Sequence, residues 1–204
     1  VVEKINENIV YKIIITLVIG IVFFNTFINN QIEHFGWDGE RYANIFINFE
    51  NLFLNKQIFT YYFQRCLPFA VFHYIFRVLN IEFSEFNIVF FMKILNTTLI
   101  ISSIYLINQI FNHHKIKTNL KTLGIVLIFC NYHILKIAGY YPVLTDIISY
   151  FLTILIYNLY LKRNLYLILI ISFLGTFILL EQLLLLKFNI QKMKNHFLGL
   201  ITKL

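Results

Sequence analysis

Five mostly apolar stretches, each near the length a helix needs to cross a bilayer, dominate this chain: Val10–Asn29, Asn87–Phe111, Lys121–Gly139, Val143–Leu161 and Asn164–Leu186. A spanning helix takes roughly 20 residues. None of the five alternates with a period of two, and within lipid a helix satisfies its own backbone. Composition points the same way. Only 13% of the residues are charged, against about 25% in soluble domains. The expected fold is therefore all-α: a polytopic transmembrane helical bundle of about five spans, integral to the cell (inner) membrane. Residues 1–204 read as a single domain. The chain opens without Met, and it is expected to be part of a larger protein.

The two cysteines, Cys66 and Cys130, lie in apolar surroundings and form neither a disulfide framework nor a CxxC metal site. The net charge of +7 is scattered beside hydrophobic spans, so it points to the lipid bilayer as partner and not to nucleic acid. The stretch Tyr61–Asn80 carries Arg65, His73 and Arg77, with Pro68 near its start. A charge at mid-membrane costs about 2.5–3.5 kcal/mol on insertion scales, so this stretch is expected to lie at the interface. Lys4 and Lys12, the loop with Lys115, Lys117 and Lys121, and the loop with Lys162 and Arg163 then share one side, cytoplasmic by the positive-inside rule. Lys187, Lys192, Lys194 and Lys203 fall on the other side, against that rule.

The long first outer loop, about residues 30–86, should hold interfacial helices, and loops of this length in compact proteins are usually functional. It carries six acidic residues against four basic ones in an otherwise basic chain. Both Asp, both Pro and the single Trp fall in or beside the outer-side loops. One cluster is Gly36-Trp37-Asp38-Gly39-Glu40-Arg41-Tyr42, where two carboxylates precede an Arg and a Tyr. Locally this reads as an Asp-Gly turn, with Asp38 as N-cap of an interfacial helix running to about Phe53. It equally suits a divalent cation or a sugar hydroxyl. The second cluster, Gly139 to Asp146, opens the fourth span, with Thr145 or Asp146 as its cap. Glu181, in a run of leucines, must be protonated, paired or facing a cavity. His73 and Arg77 share a helical face, as a polar stripe or as an acid-binding pair. Trp37, Tyr61 and Tyr62 suit an aromatic belt at the headgroups or stacking on a sugar. His113 and His114 read as solvated loop residues.

The order of Asp38-Gly39-Glu40-Arg41-Tyr42, Arg65-Cys66-Leu67-Pro68, Leu144-Thr145-Asp146 and Glu181 resembles the N-terminal half of GT-C-type membrane glycosyltransferases. The branch with protein mannosyltransferases and the aminoarabinose transferase of lipid A is the most similar. The resemblance covers Val10 to Leu186. It departs at Leu180, where the family pattern has a basic residue, and the family's later spans are not in this chain. It implies a polyprenyl-phosphate sugar donor on the outer face. Asp38 would act as base or metal ligand, and Asp146 as a second carboxylate. Arg65, and with it Arg77, would pair with the donor phosphate, with Arg41 and Tyr42 beside them. Glu40 and Glu181 would be further acidic candidates, and Asp38 with Asp146 would hold a divalent metal ion. Two alternatives stand beside this expectation. One is a catalytically inactive scaffold or subunit, in which Asp38 and Asp146 are only caps. The other is a small transporter, disfavoured because no span is interrupted by Gly or Pro at its middle and no inverted repeat is visible.

Overall fold

The computed structural model describes residues 7–27, 39–58, 62, 65–129, 134, 138, 143 and 145–176. Among these there are seven helices and no strand. They are α1 (Glu7–Phe27), α2 (Gly39–Leu54), α3 (Leu67–Val78), α4 (Glu85–His113), α5 (Thr118–Phe129), α6 (Asp146–Leu161) and α7 (Leu165–Thr176). The all-α expectation holds for the described residues. Of the five expected spans, α4 alone among the described residues is long and apolar enough to cross a membrane.

At 1.5 Å per residue, α4 is about 43 Å long. It starts where Ser84 accepts a hydrogen bond from the Asn87 amide and Glu85 occupies the first turn, a side-chain cap with a carboxylate at the positive end of the helix dipole. Ile88, Met92, Asn96, Ile100, Ser103, Ile104 and Ile107 form its buried seam at three- and four-residue spacing. Its most extensive partner is α6. The two run parallel: Leu99 and Leu152 both border the apolar cluster nearer their starts, while Asn158 reaches Leu106 and Gln109 nearer their ends. Gly124 marks the close approach of α5 to α4, since a methyl group there would sit 3.0 Å from Phe111 Cζ. Ile14, Val18, Ile100, Ile104, Ile107, Ile125 and Phe129 fill an aliphatic cluster joining α1, α4 and α5, which buried Ile134 and Ala138 also enter.

Helices α2 and α3 form a second unit. In α2, Gly39, Tyr42, Ala43 and Phe46 are buried at helical spacing; in α3, Pro68, Phe69, Phe72, His73 and Phe76 are. Tyr42 stacks on Phe69 at 4.9 Å, Phe46 meets Phe76 edge-on at 4.8 Å, and Glu50 pairs with Arg77. Partners advance together along both helices, so the pair is parallel, and residues 55–66 carry the chain back. Twelve residues reach about 40 Å when extended, ample for the roughly 24 Å of α2. Phe83 and Phe91 pack on the rings of Phe46 and Phe76, which docks the pair onto the start of α4. Helix α3, 12 residues long, extends about 18 Å against the roughly 30 Å of a hydrocarbon core.

Four helices end in one manner. Lys56, Asn80, Lys115 and Arg163 have φ of 53°, 52°, 54° and 56°. Each donates its amide to the carbonyl three residues back, and the following residue donates to the carbonyl five back, as in Gln57 to Leu52 and Asn164 to Leu159. These are Schellman closures, made at all four places without glycine.

Candidate functional site

The parallel pairing of α2 and α3 sets their N-terminal ends side by side. Arg41 lies in the first turn of α2, and Arg65 two residues before α3. Arg41 Nη1 donates to Tyr62 Oη at 2.9 Å, and its guanidinium carbon lies 5.3 Å from the centre of the same ring. Arg65 Nη1 donates to Tyr42 Oη at 3.4 Å. The two tyrosine rings meet edge-on at 5.4 Å, and Tyr42 stacks on Phe69 beneath them. Two guanidinium groups thus stand over an aromatic floor, each tied to it through a phenol. Among the described residues no carboxylate pairs with Arg41.

The electrostatics of this corner combine two guanidinium groups with the carboxylates of Glu40 and Asp146 at the adjoining helix starts. A helix N-terminus carries about half a positive charge and favours anions. Here two such ends meet two arginines, the reverse of the usual preference for acids at that position. Exposed Glu40 is in the first turn of α2. Cys66 is buried between Arg65 and α3, and burial pushes its thiol above the ordinary value of 9.0, although a backbone hydrogen bond pulls the other way.

The segment entering α6 joins the same cluster. Val143 and Ile148 are buried with Tyr42, Tyr62, Cys66 and Phe69, so Asp146 stands between two anchors of that packing. Asp146 is exposed and begins α6. Thr145 occupies the N-cap position, yet its φ of −83° and ψ of −4° are helical and its side chain makes no capping bond. Of the two expected caps, Thr145 or Asp146, the threonine is corrected: it is buried and caps nothing through its side chain.

The other expected residues separate into those brought here and those not. Arg41, Tyr42 and Arg65 converge, with Glu40 and Asp146 at the adjoining helix starts. Arg77 does not join them. It lies near the opposite end of α3, about 15 Å from Leu67 along the axis, paired with Glu50 where both are largely exposed. His73 is not on a polar stripe. It is 5% exposed, its Nδ1–H donates to the Phe46 carbonyl at 2.7 Å, and it sits among Phe49, Tyr74 and Phe83. That carbonyl lies two residues before the kink in α2 at Asn48 (φ −111°, ψ 26°), where the chain leaves helical geometry. Tyr62 is likewise inside the cluster and not on an exposed belt. Asp38 and Glu181 lie outside the described residues, as do Trp37, Tyr61 and Cys130. No group of three or more His, Cys, Asp or Glu suited to a metal ion occurs among the described residues, and Asp146 brings a single carboxylate to this corner.

One buried basic side chain is not anticipated from span ends and loops. Lys93 is 7% exposed within α4, followed one turn later by buried Asn96 and Thr97. Across the α4–α6 interface, Thr145 and Ser149 are buried too. The signal is present in the sequence, because Lys93 is the only charged residue between Asn87 and Phe111, and an ionisable residue inside a span marks a functional position by default. The chain matches no protein-family model, no curated protein and no solved structure.

Proposed function

We propose that this chain belongs to a multi-pass membrane glycosyltransferase that draws its sugar from a polyprenyl-phosphate carrier on the outer face. The observation that carries the reading is the meeting of Arg41 and Arg65 above Tyr42 and Tyr62 at two adjoining helix N-termini. Such a corner is built for an anion with several oxygens: guanidinium forks match phosphate geometry, and helix N-termini add to the same field. The membrane reading is supported by the length of α4 and by exposed leucines on α5 and α7, and the gathering of basic residues at the ends of α4 and α6 suits a five-span topology.

In this mechanism the arginines hold the donor phosphate while the acceptor hydroxyl attacks the sugar's anomeric carbon. The new glycosidic bond forms as the bond from that carbon to the phosphate oxygen breaks. Asp38, next to Gly39 in sequence, takes the proton of the acceptor hydroxyl, and polyprenyl phosphate leaves with the electron pair. Asp146 orients the acceptor. Removing a general base typically costs two or more orders of magnitude in rate.

The test is transfer from a polyprenyl-phosphate sugar by the natural full-length protein. Asp38→Asn should lose at least about 100-fold in turnover while its stability changes by less than about 1 kcal/mol, because Asn caps a helix about as well as Asp. Full activity in a well-folded Asp38→Asn variant removes Asp38 from the mechanism. No transfer by the wild type from any polyprenyl-linked sugar favours the scaffold reading.

A further inference from the structure

The opposite end of the bundle has a different chemistry. Residues 109–121 and 157–164 at that end hold Lys115, Lys117, Lys121, Lys162 and Arg163 and neither Asp nor Glu. Lys121 is half-buried and the other four are exposed. Gln109 Oε1 accepts from Lys162 Nζ at 2.9 Å and from Asn158 Nδ2 at 3.3 Å, while Asn112 Oδ1 accepts from Lys121 Nζ. Gln109 and Asn112 are three residues apart on α4, so their side chains rise about 5–6 Å from one another. Two ammonium groups, one from α5 and one following α6, are thereby each anchored on the last turns of α4. The amides orient them and leave their charge intact. The C-terminal ends of α4 and α6 supply about half a negative charge each, well short of five cations.

Beside and inward from these charges the surface carries exposed apolar side chains. Leu120 and Leu123 on α5, Tyr157 on α6, and Leu165 and Tyr166 on α7 are all exposed. Tyr157 also meets His114 Nε2 at 3.3 Å through its hydroxyl. A cationic rim above an apolar wall fits a ligand that is anionic at one end and hydrocarbon at the other. Free phosphate would use the rim alone.

We propose that this end binds the phosphodiester headgroup of an anionic phospholipid, with Lys121 and Lys162 as its main contacts and the wall of α5–α7 against its acyl chains. The proposal rests on the reading of the chain as a membrane protein, which alkaline carbonate extraction checks separately. The direct experiment follows thermal unfolding of the detergent-solubilised chain during titration with phosphatidylglycerol, phosphatidylcholine or inorganic phosphate. Phosphatidylglycerol should raise Tm and the other two should not. A basic residue near an anionic surface strengthens association about fivefold, so Lys121→Gln/Lys162→Gln should need about 25-fold more phosphatidylglycerol for the same shift, while Lys121→Arg/Lys162→Arg should match the wild type. If the Gln pair does not fold, salt replaces it, since about 1 M salt shortens the screening length to roughly 3 Å and should erase the wild-type shift. An equal shift with phosphatidylcholine, a shift reproduced by phosphate, wild-type behaviour of the Gln pair, or a salt-resistant shift overturns the proposal. Loss of the chain to carbonate overturns the membrane reading itself. A carbonate-resistant chain whose melting ignores headgroup charge overturns the lipid site alone.

Discussion

The α2–α3 pair and the bundle of α1, α4 and α5 bury apolar groups by different means. The pair meets α4 through a core of rings: Tyr42, Phe46, Phe69, Phe72 and Phe76 are inside, while α2 exposes Glu40, Arg41, Asn44 and Asn51 along with Phe53 and Leu54 at its end. The bundle interlocks isoleucines along its seam and leaves Ile13, Leu17, Leu123 and Leu127 outside. The outer face of the bundle is thus apolar where that of α2 is mostly polar. Burial in the pair is concentrated in a few large rings, and in the bundle it is spread over many aliphatic side chains.

The sharpest test of that contrast is Phe46→Ala. Phe46 has no exposed surface and touches Phe72, Phe76, Phe83 and Phe91, and emptying such a site costs about 3–5 kcal/mol. Leu127→Ala, on the outer face of α5, should cost less than about 0.5 kcal/mol in detergent. Denaturant unfolding of both variants decides the matter, and equal losses would dissolve the distinction. A smaller effect is expected from His73→Phe, which keeps a ring in the aromatic box and deletes the hydrogen bond to the Phe46 carbonyl. The loss should be about 1 kcal/mol, and an unchanged midpoint would show that ring packing alone holds α3 against α2.

The smallest effect concerns pH. The folded-state pKa of Cys66 is raised above its unfolded value, so the neutral thiol contributes stability that is fully present below the ordinary value of 9.0. That contribution is lost as pH rises from there through the folded value. Wild type should thus lose more stability than Cys66→Ala over that window, and parallel pH profiles would show that the thiol's environment contributes nothing to stability.

Helix positions were legible because apolar runs and caps are local. Ser84 with Glu85 starts α4 two residues ahead of the expected boundary, and α6 starts at Asp146 inside the expected Val143–Leu161 span. The arginine–tyrosine corner was legible only as an order of motifs. What brings Arg41 to Tyr62 and Arg65 to Tyr42 is the parallel return of α3, and no short-range pattern encodes a return through residues 55–66. The spacing of His73 and Arg77 puts both on one helical face and does not tell an inward His from an outward Arg. In the fold His73 turns inward to the carbonyl beside a kink, while Arg77 turns out to Glu50. Lys93 is visible in the sequence as the one charge between Asn87 and Phe111, whereas its burial depends on how α4 packs.

The four glycine-free helix closures have a consequence at the level of mutation. A left-handed residue other than glycine or asparagine costs about 1 kcal/mol or more, so Lys56, Lys115 and Arg163 each hold back stability that glycine would restore, and Asn80 holds back less. Lysine and asparagine codons begin with two adenines and glycine codons with two guanines. Relief at Lys56, Asn80 and Lys115 therefore takes two base changes, and the single-step intermediates encode Arg, Glu, Ser or Asp. An arginine codon reaches glycine in one. Arg163 is the one closure of the four that a single-base change can relax, and doing so would take a cation from the basic end of the bundle.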